Sequence, residues 1–393
     1  MSNIFMFEKP LGMRDTIPVV YGAKEHIRNG ILSEMASWGY QMIETPALEY
    51  YETIGAASAI EDRQLFKLLD QQGHTLVLRP DMTAPIARVA ASKLLEKRVP
   101  LRLAYGAKVY RAQQREGGRP AEFEQIGIEC IGYPSVSADA ETISLLISSL
   151  QKMGLKEFKV SVGHIGYLQD ILLDVLGTEA RAEICRKFLF EKNYVGFREH
   201  VASLPISSID QQRLIGLLSL RGTVDVLEQG TAIAEGTDGT KVLEELGGLW
   251  EQLEEYGVQS FVQFDLTLVS TMNYYSGLLY EVYAEGVGMP VGNGGRYDHL
   301  LEQFGRKAPA TGFALIVDRL LEALGGIEEK EESICVLYSR EQFTEAISLA
   351  KDLRSKGMMV VLQDVNGVEE MDAFTRTFKE VHYLIGDRKG DLR

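Results

Sequence analysis

The histidines and cysteines of this sequence are the first candidates for chemistry, because they are common metal ligands and nucleophiles. The six histidines show no metal-binding spacing. Cys130, Cys185 and Cys335 lie far apart and form no CxxC pair, which is typical of small core residues in a reducing compartment. The sequence has no Walker-type phosphate loop. These residues therefore predict neither a metal nor a cofactor.

Carboxylates and phenols are the second set of candidates, and each has a structural alternative. Asp81 and Glu129 can hold a small cationic ligand, or they can be ordinary ion-paired or surface carboxylates. Tyr274 and Tyr275 are expected to alternate across a strand, so that one of them packs in the core. The glycine-flanked segment 294–298 (GGRYD) is typical of a turn with a salt-bridged arginine. Taken singly, none of these residues identifies a site.

Composition and charge narrow the class of protein. The chain has 393 residues, enough for two or three domains, and 41 Lys and Arg against 56 Asp and Glu give a net charge of −15. Nucleic-acid binders usually carry a basic patch, so this balance argues mildly against a tRNA ligand. No apolar run approaches the roughly 20 residues of a membrane helix, and the first residues lack a signal-peptide pattern. We therefore expect a cytoplasmic protein that meets no membrane.

Apolar periodicity predicts the elements that would position these side chains. Helices are expected over 21–37, 138–153 and 318–324. Strands are expected over 40–45, 76–78, 101–111, 122–132, 158–162, 262–269, 278–284 and 310–316. The pattern from 165 to 256 is almost wholly helical, which predicts a helical insertion at approximately 175–258. A polar hinge at 325–332 separates a core of residues 1–325 from a small α/β unit over 331–393.

Five segments, in order along residues 5–325, resemble the catalytic module of class II aminoacyl-tRNA synthetases, and specifically of histidyl-tRNA synthetase. Three resemble the general class II motifs, and two are similar to histidine-specific signatures. The segments are Gly12-Met13-Arg14-Asp15 with the following helix and Pro46 (motif 1), Val109-Tyr110-Arg111 through Glu129-Cys130-Ile131-Gly132 (motif 2), Gly312-Phe313-Ala314 with Asp318-Arg319-Leu320 (motif 3), Asn273-Tyr274-Tyr275-Ser276-Gly277, and Gly294-Gly295-Arg296-Tyr297-Asp298. The resemblance implies an α+β fold, with a class II synthetase-like antiparallel sheet flanked by helices and a truncated anticodon-binding-like domain at 331–393.

The resemblance also implies a pocket for free histidine, whose ammonium, carboxylate and imidazole each need a partner. A carboxylate favours a donor at one ring nitrogen, and a phenol can satisfy the other nitrogen. The matching positions are Asp81, Thr83 and Gln125 for the ammonium, Glu129 and Tyr275 for the imidazole, Arg111 for the carboxylate, and Tyr274 and Tyr297 in the remaining wall. Asp81 is one methylene shorter than the glutamate usual in the family.

The neighbouring nucleotide site departs from the family pattern. Adenylate formation needs cations aimed at the charge that develops on the α-phosphate, and loss of one such donor costs on the order of 10²–10³ in rate. The substitutions are Gln113 for an acidic residue, Ala121 and Ser270 for arginines, Asn273 for an aspartate and Ile316 for a glycine. We therefore expect histidine binding without aminoacylation, unless Lys108 or Arg119 compensates for the lost charge.

A binding pocket that has lost its chemistry is typical of a sensor. In this respect the sequence resembles the family of regulatory subunits of short-form ATP phosphoribosyltransferase. That resemblance implies a short catalytic subunit as partner in a hetero-octamer, a homodimer formed through motif 1, and feedback inhibition by histidine. Residues 232–240 only loosely approximate a phosphoribosyl-pyrophosphate loop, and 12 acidic against 9 basic residues over 331–393 predict no reading of an anticodon. Two alternatives remain: a divergent histidyl-tRNA synthetase that still activates histidine, and a translation-control module on the same fold.

Overall fold

A computed structural model describes residues 8–55, 57–96, 99–112, 120–270, 274–326 and 333–386. The chain divides into two units, residues 1–326 and 327–393, each with its own apolar core. Three residues named for the nucleotide site, Gln113, Arg119 and Asn273, lie outside the described residues.

Helices and strands alternate irregularly through the first unit and regularly through the second. The helices are α1 (Pro18–Ser37), α2 (Thr83–Val89), α3 (Val136–Lys152), α4 (Ile165–Leu176), α5 (Glu179–Phe190), α6 (Tyr194–Ser203), α7 (Ser208–Leu217), α8 (Asp225–Ile233), α9 (Gly239–Glu255), α10 (Val317–Ala323), α11 (Phe343–Ser355) and α12 (Met371–Thr375). The strands are β1 (Gln41–Met42), β2 (Leu48–Tyr50), β3 (Lys67–Leu69), β4 (Thr75–Leu78), β5 (Leu101–Tyr110), β6 (Glu122–Ile131), β7 (Phe158–His164), β8 (Arg221–Gly222), β9 (Val262–Asp265), β10 (Leu278–Ala284), β11 (Gly292–Arg296), β12 (Ala310–Ile316), β13 (Ile334–Tyr338), β14 (Val360–Asp364) and β15 (Glu380–Leu384).

The centre of the first unit is a nine-stranded sheet in the order β1-β5-β6-β12-β11-β10-β7-β9-β8. Neighbouring strands are antiparallel except for the pairs β1–β5 and β7–β9. Helix α1 buries Ile27, Ile31 and Met35, which recur every four residues and so lie on one face of the helix. Together with α3 and α10, this helix packs on β6 and its neighbours. The predicted α+β class, an antiparallel sheet flanked by helices, is confirmed.

Two local expectations were wrong, and both concern the strands beside the predicted pocket. The glycine-flanked segment is not a turn: Gly292–Arg296 forms β11, between β10 and β12. Glycine is required there because a Cβ at Gly294 would lie 2.5 Å from the ring of Tyr280, which crosses the strand. Tyr274 and Tyr275 do not alternate across a strand, because both precede β10. Both side chains are partly exposed, so neither is a buried core residue.

Helices α4–α9 follow β7 in the part of the sequence with helical periodicity. Within them, the two-residue strand β8 pairs with β9 and extends the main sheet. Helix α9 buries Leu243, Leu246, Leu249 and Leu253 at three- and four-residue spacing and packs against α3 and α4. These helices are therefore joined to the sheet by shared packing.

The second unit contains a parallel sheet in the order β14-β13-β15. Helix α11 packs on β13 and β14, where Ile334, Val336, Ala346 and Leu353 form the core. Among the helices of the described residues, none has the length and apolar character needed to cross a membrane.

Candidate functional site

All eight residues predicted to bind histidine line one small cavity of about 20 Å³ in the first unit. Strands β5, β6, β11 and β12 supply its floor, and the start of α2 and the segment before β10 supply its walls. The lining residues are Asp81, Thr83, Tyr105, Arg111, Gln125, Glu129, Tyr274, Tyr275, Asn293, Tyr297, Gly312, Phe313 and Ala314. The sequence prediction and the geometry therefore converge on one place.

Glu129, on β6, is the most enclosed carboxyl group of the cavity. It is 1% exposed and accepts a hydrogen bond at Oε2 from the Tyr297 hydroxyl. Gly312 lies opposite on β12, and a Cβ there would overlap the carboxyl group. Burial raises the pKa of Glu129 to about 8, although hydrogen bonds from Tyr297 and Thr83 lower it, and the charge of Asp81 adds to the rise. This group therefore changes its protonation near neutral pH, and its ionised form needs a donor.

Asp81 is buried at the start of α2. The Ser58 hydroxyl donates to its Oδ2 at 2.8 Å, and the backbone N–H of Ala84 donates to its Oδ1 at 3.0 Å. The second contact places a carboxylate at the positive end of a helix, where it is stabilising. Each carboxylate oxygen can accept more than one hydrogen bond, so Asp81 can still accept from a ligand ammonium. Thr83 opens the same helix and faces the same cavity.

Arg111 supplies the positive charge of the cavity. It follows β5, and its Nε donates to the Pro80 carbonyl at 2.8 Å. Its guanidinium carbon lies 5.3 Å from the centre of the Phe123 ring, within the range of a cation–π contact. Burial lowers the pKa of Arg111 and the charge of Asp81 raises it, but a guanidinium stays charged in proteins. A ligand carboxylate therefore has a fixed cationic partner here.

Three mutually packed tyrosine rings line another part of the cavity. The ring centres of Tyr274 and Tyr275 are 5.0 Å apart, and those of Tyr274 and Tyr297 are 5.7 Å apart, both in edge-to-face geometry. The Asn293 amide donates to the Tyr275 hydroxyl at 3.4 Å. Tyr297 is buried, whereas the other two tyrosines are partly exposed.

A buried ion pair fixes the backbone next to Tyr297. The Arg296 guanidinium donates twice to Oδ2 of Asp139 on α3, at 3.0 and 2.6 Å, and also contacts Asp298. Asp298 accepts at the same time from the Ala310 N–H at 3.0 Å. The arginine of the GGRYD segment is thus structural, and it directs the following tyrosine into the cavity.

Of the substituted nucleotide-site residues that the structure describes, Ala121 and Ile316 are next to residues of this cavity: the Ala121 carbonyl accepts from the Arg111 N–H, and Ile316 pairs with Gln125 across β12 and β6. Ala121 is fully buried, and its N–H donates to the Gly12 carbonyl at 2.8 Å. Ile316 packs in the apolar cluster that contains Phe123. Lys108 is exposed and ion-paired with Glu122 on the neighbouring strand.

Ser270 lies in a separate, larger cleft of about 720 Å³ that shares Tyr274 and Tyr275 with the small cavity. Helix α5 contributes Arg186 and Lys187 to this cleft, and Arg186 is ion-paired with Glu179 and Glu183. The two tyrosines therefore line both the small cavity and the larger cleft.

Sequence reasoning missed Ser58, Tyr105 and Asn293. Tyr105 had a usable signal, because it lies two residues from Leu103 on an alternating strand and so faces the same side. Ser58 had none, since its role depends on a contact with Asp81 across 23 residues of chain. Within the described part of the chain, no group of three or more His, Cys, Asp or Glu residues is arranged to hold a metal ion.

Comparison with known proteins first defines the class. Residues 12–320 match the family of histidyl-tRNA synthetase, and residues 335–386 match the C-terminal domain of histidyl-tRNA synthetase HisZ. The structure of histidyl-tRNA synthetase from Nostoc sp. PCC 7120 has a TM-score of 0.80 at 20% identity, covering 94% of this chain and 88% of that chain. The sheet is thus that of a class II synthetase-like protein of the histidyl type.

Similarity is greater to a group of regulatory subunits. The curated ATP phosphoribosyltransferase regulatory subunit of Geobacillus sp. (strain WCH70) is 58% identical over 98% of both chains. A crystal structure of an ATP phosphoribosyltransferase regulatory subunit/histidyl-tRNA synthetase from Bacillus halodurans is 54% identical, with a TM-score of 0.91 over 97% of this chain and 99% of that chain. The chain belongs to the family of ATP phosphoribosyltransferase regulatory subunits. This membership confirms the prediction of a regulatory, non-catalytic subunit.

Proposed function

We propose that the small cavity binds free histidine and that the chain thereby makes the short catalytic subunit of ATP phosphoribosyltransferase sensitive to histidine. The observation that carries the proposal is the buried, ionisable Glu129 in a cavity that also holds Asp81, Arg111 and tyrosine hydroxyls. Free histidine is a zwitterion with an imidazole ring. It therefore requires an anion for its ammonium, a cation for its carboxylate, and a hydrogen-bond donor and acceptor for its ring nitrogens.

Each part of histidine has a partner of complementary chemistry. The imidazole N–H donates to Glu129, and the Tyr275 hydroxyl satisfies the second ring nitrogen. The ammonium faces Asp81 with Thr83 and Gln125 beside it, and the carboxylate faces Arg111. Because these groups are already fixed by protein contacts, little ordering is needed when the ligand binds.

The surroundings favour binding without adenylate formation. The buried methyl group of Ala121 and the packed side chain of Ile316 replace an arginine and a glycine, so charge and space are both reduced beside the histidine cavity. Lys108 is exposed and is already paired with Glu122. This pairing argues against Lys108 as the replacement for the missing cation. The rival function, a synthetase that still activates histidine, is therefore less well supported.

Regulation requires the catalytic subunit to interact differently with the histidine-bound and the histidine-free chain. A ligand shifts an equilibrium only by its differential affinity for two forms, and a coupling of about 1–3 kcal/mol is typical.

The proposed assembly is a homodimer formed through motif 1 that joins short catalytic subunits in a hetero-octamer. Large apolar side chains near motif 1 are exposed in the single chain, which supports burial by a second copy. They are Leu11, Ile17, Val19 and Tyr21. The chain is expected to bind no tRNA.

The test is reconstitution with a short catalytic subunit, comparing the native chain with Glu129→Gln. Both should activate the catalytic subunit, but the variant should need about 10–100-fold more histidine for half-inhibition, because a hydrogen bond to a charged group is lost. Glu122→Gln, on the same strand but paired with Lys108, is the matched control and should behave as the native chain.

Equal histidine sensitivity of the native chain and Glu129→Gln would contradict the proposed site. The rival is tested separately by histidine-dependent exchange of pyrophosphate into ATP. We expect no exchange, and measurable exchange by the purified chain would favour a synthetase instead.

A further inference from the structure

Tyr105 differs from the other buried tyrosines in its hydrogen bonding. The other four donate from the hydroxyl to a protein oxygen: Tyr40 to Glu141, Tyr167 to the Gly230 carbonyl, Tyr280 to the Gly312 carbonyl and Tyr297 to Glu129. Tyr105 is 1% exposed, yet its hydroxyl has no hydrogen-bond partner in the part of the chain that the structure describes. Buried phenols usually have such a partner, so this hydroxyl is a candidate for binding a ligand.

The Tyr105 side chain lies on the floor of the small cavity. It lines the cavity, and its partner across β5 and β6 is Gly127. A Cβ at Gly127 would lie 2.5 Å from the Tyr105 hydroxyl oxygen and 2.7 Å from Cζ, so the phenol needs glycine at this position. Gln125 and Glu129 flank Gly127 and face the same side of β6. The hydroxyl therefore lies among the side chains that are proposed to hold the ligand.

The charges around this hydroxyl favour a cationic group of the ligand. Burial raises the pKa of Tyr105 well above its usual value, and the charges of Glu129 and Asp81 raise it further, with a smaller opposing effect of Arg111. The phenol is therefore neutral, and its oxygen can accept a hydrogen bond. A neutral acceptor near two carboxylates is complementary to an ammonium group, which has three N–H donors.

We infer that the Tyr105 hydroxyl is a further ligand contact in the small cavity and accepts a hydrogen bond from the ammonium group of the bound amino acid, beside Asp81. The inference rests on the proposed function, because it takes histidine as the ligand. It adds a binding residue to the eight that were predicted from the sequence.

The test is Tyr105→Phe in the full chain, with histidine binding measured by calorimetry and stability measured by urea unfolding. Loss of a hydrogen bond to a charged group should weaken histidine binding about 10–100-fold. The midpoint of urea unfolding should not fall, because the substitution removes no hydrogen bond among the described residues.

Tyr167→Phe is the matched control. This phenol is also buried, but it donates to the Gly230 carbonyl at 2.9 Å and lies on α4, outside the lining of the cavity. The control should show the opposite pattern, with a lower urea midpoint and an unchanged affinity for histidine.

Imidazolepropionate tests which group of the ligand is involved, because it keeps the ring and the carboxylate of histidine and lacks the ammonium. Its affinity, measured by competition with histidine, should differ by less than about twofold between the native chain and Tyr105→Phe. An equal loss for the two ligands would overturn the assignment to the ammonium group.

Unchanged histidine affinity in Tyr105→Phe would overturn the inference as a whole. A lower urea midpoint of the free variant, or its failure to fold, would do the same, since either would show that the hydroxyl has a structural role. If the native chain binds no histidine, the proposed function fails as well. If the native chain and the variant bind histidine equally, only the role of Tyr105 fails.

Discussion

Replacing Glu129 with glutamine should remove a specific pH dependence from the stability of the first unit. Burial raises the pKa of Glu129 from its ordinary 4.5 to about 8, so the folded chain binds a proton that the unfolded chain has released. The stability linked to this proton is fully present below about pH 4.5 and is lost as the pH rises toward 8. Glutamine has no proton to lose, so the variant lacks this trend.

The size of the effect follows from the same shift. Within this window each pH unit corresponds to about 1.4 kcal/mol, so between pH 5.5 and 7.5 the native chain should lose about 2–3 kcal/mol relative to Glu129→Gln. Urea unfolding followed by tryptophan fluorescence measures it, because Trp38 and Trp250 both lie in the first unit. Glu122→Gln controls for the change in net charge. A difference that stays constant across this range would refute the idea that burial controls the ionisation of Glu129.

Two further substitutions test how the cavity is held. Asp139→Asn should destabilise the first unit by about 3–5 kcal/mol in urea unfolding, because it removes the charge of the nearest buried partner of Arg296. Asp238→Asn breaks an exposed ion pair and should leave the stability almost unchanged. Equal effects of the two substitutions would contradict the structural role of the buried pair. Gly312→Ala should abolish histidine binding in calorimetry and lower the melting temperature, because the added methyl group overlaps Glu129. Its control, Gly247→Ala, lies on α9 with open space around it and should stabilise the chain by about 0.5–1 kcal/mol. Normal histidine affinity in Gly312→Ala would contradict the tight fit at Glu129.

The main sheet was largely predictable because most of its long strands are runs rich in apolar residues. The strands expected over 278–284 and 310–316 match β10 and β12 at both ends, and the predictions for β5 and β6 are within one residue. Strand β11 was not predictable from periodicity, because residues 292–295 offer three glycines and an asparagine and hence no apolar alternation. Its neighbours on both sides, and not its own side chains, make it a strand.

The residues that line the cavity were largely predictable, but their contacts with one another were not, and their role in binding histidine stays a prediction. Family positions selected eight residues, and the fold brings all of them to one cavity. That Asp81 is held by Ser58, and Glu129 by Tyr297, depends on pairs far apart in the sequence, which periodicity cannot reveal.

A crystal structure of the chain with bound histidine tests the central claim most directly. We predict the imidazole between Glu129 and Tyr275, and the ligand carboxylate facing Arg111. Histidine bound only in the open cleft beyond Tyr274, with the small cavity unchanged, would contradict the account.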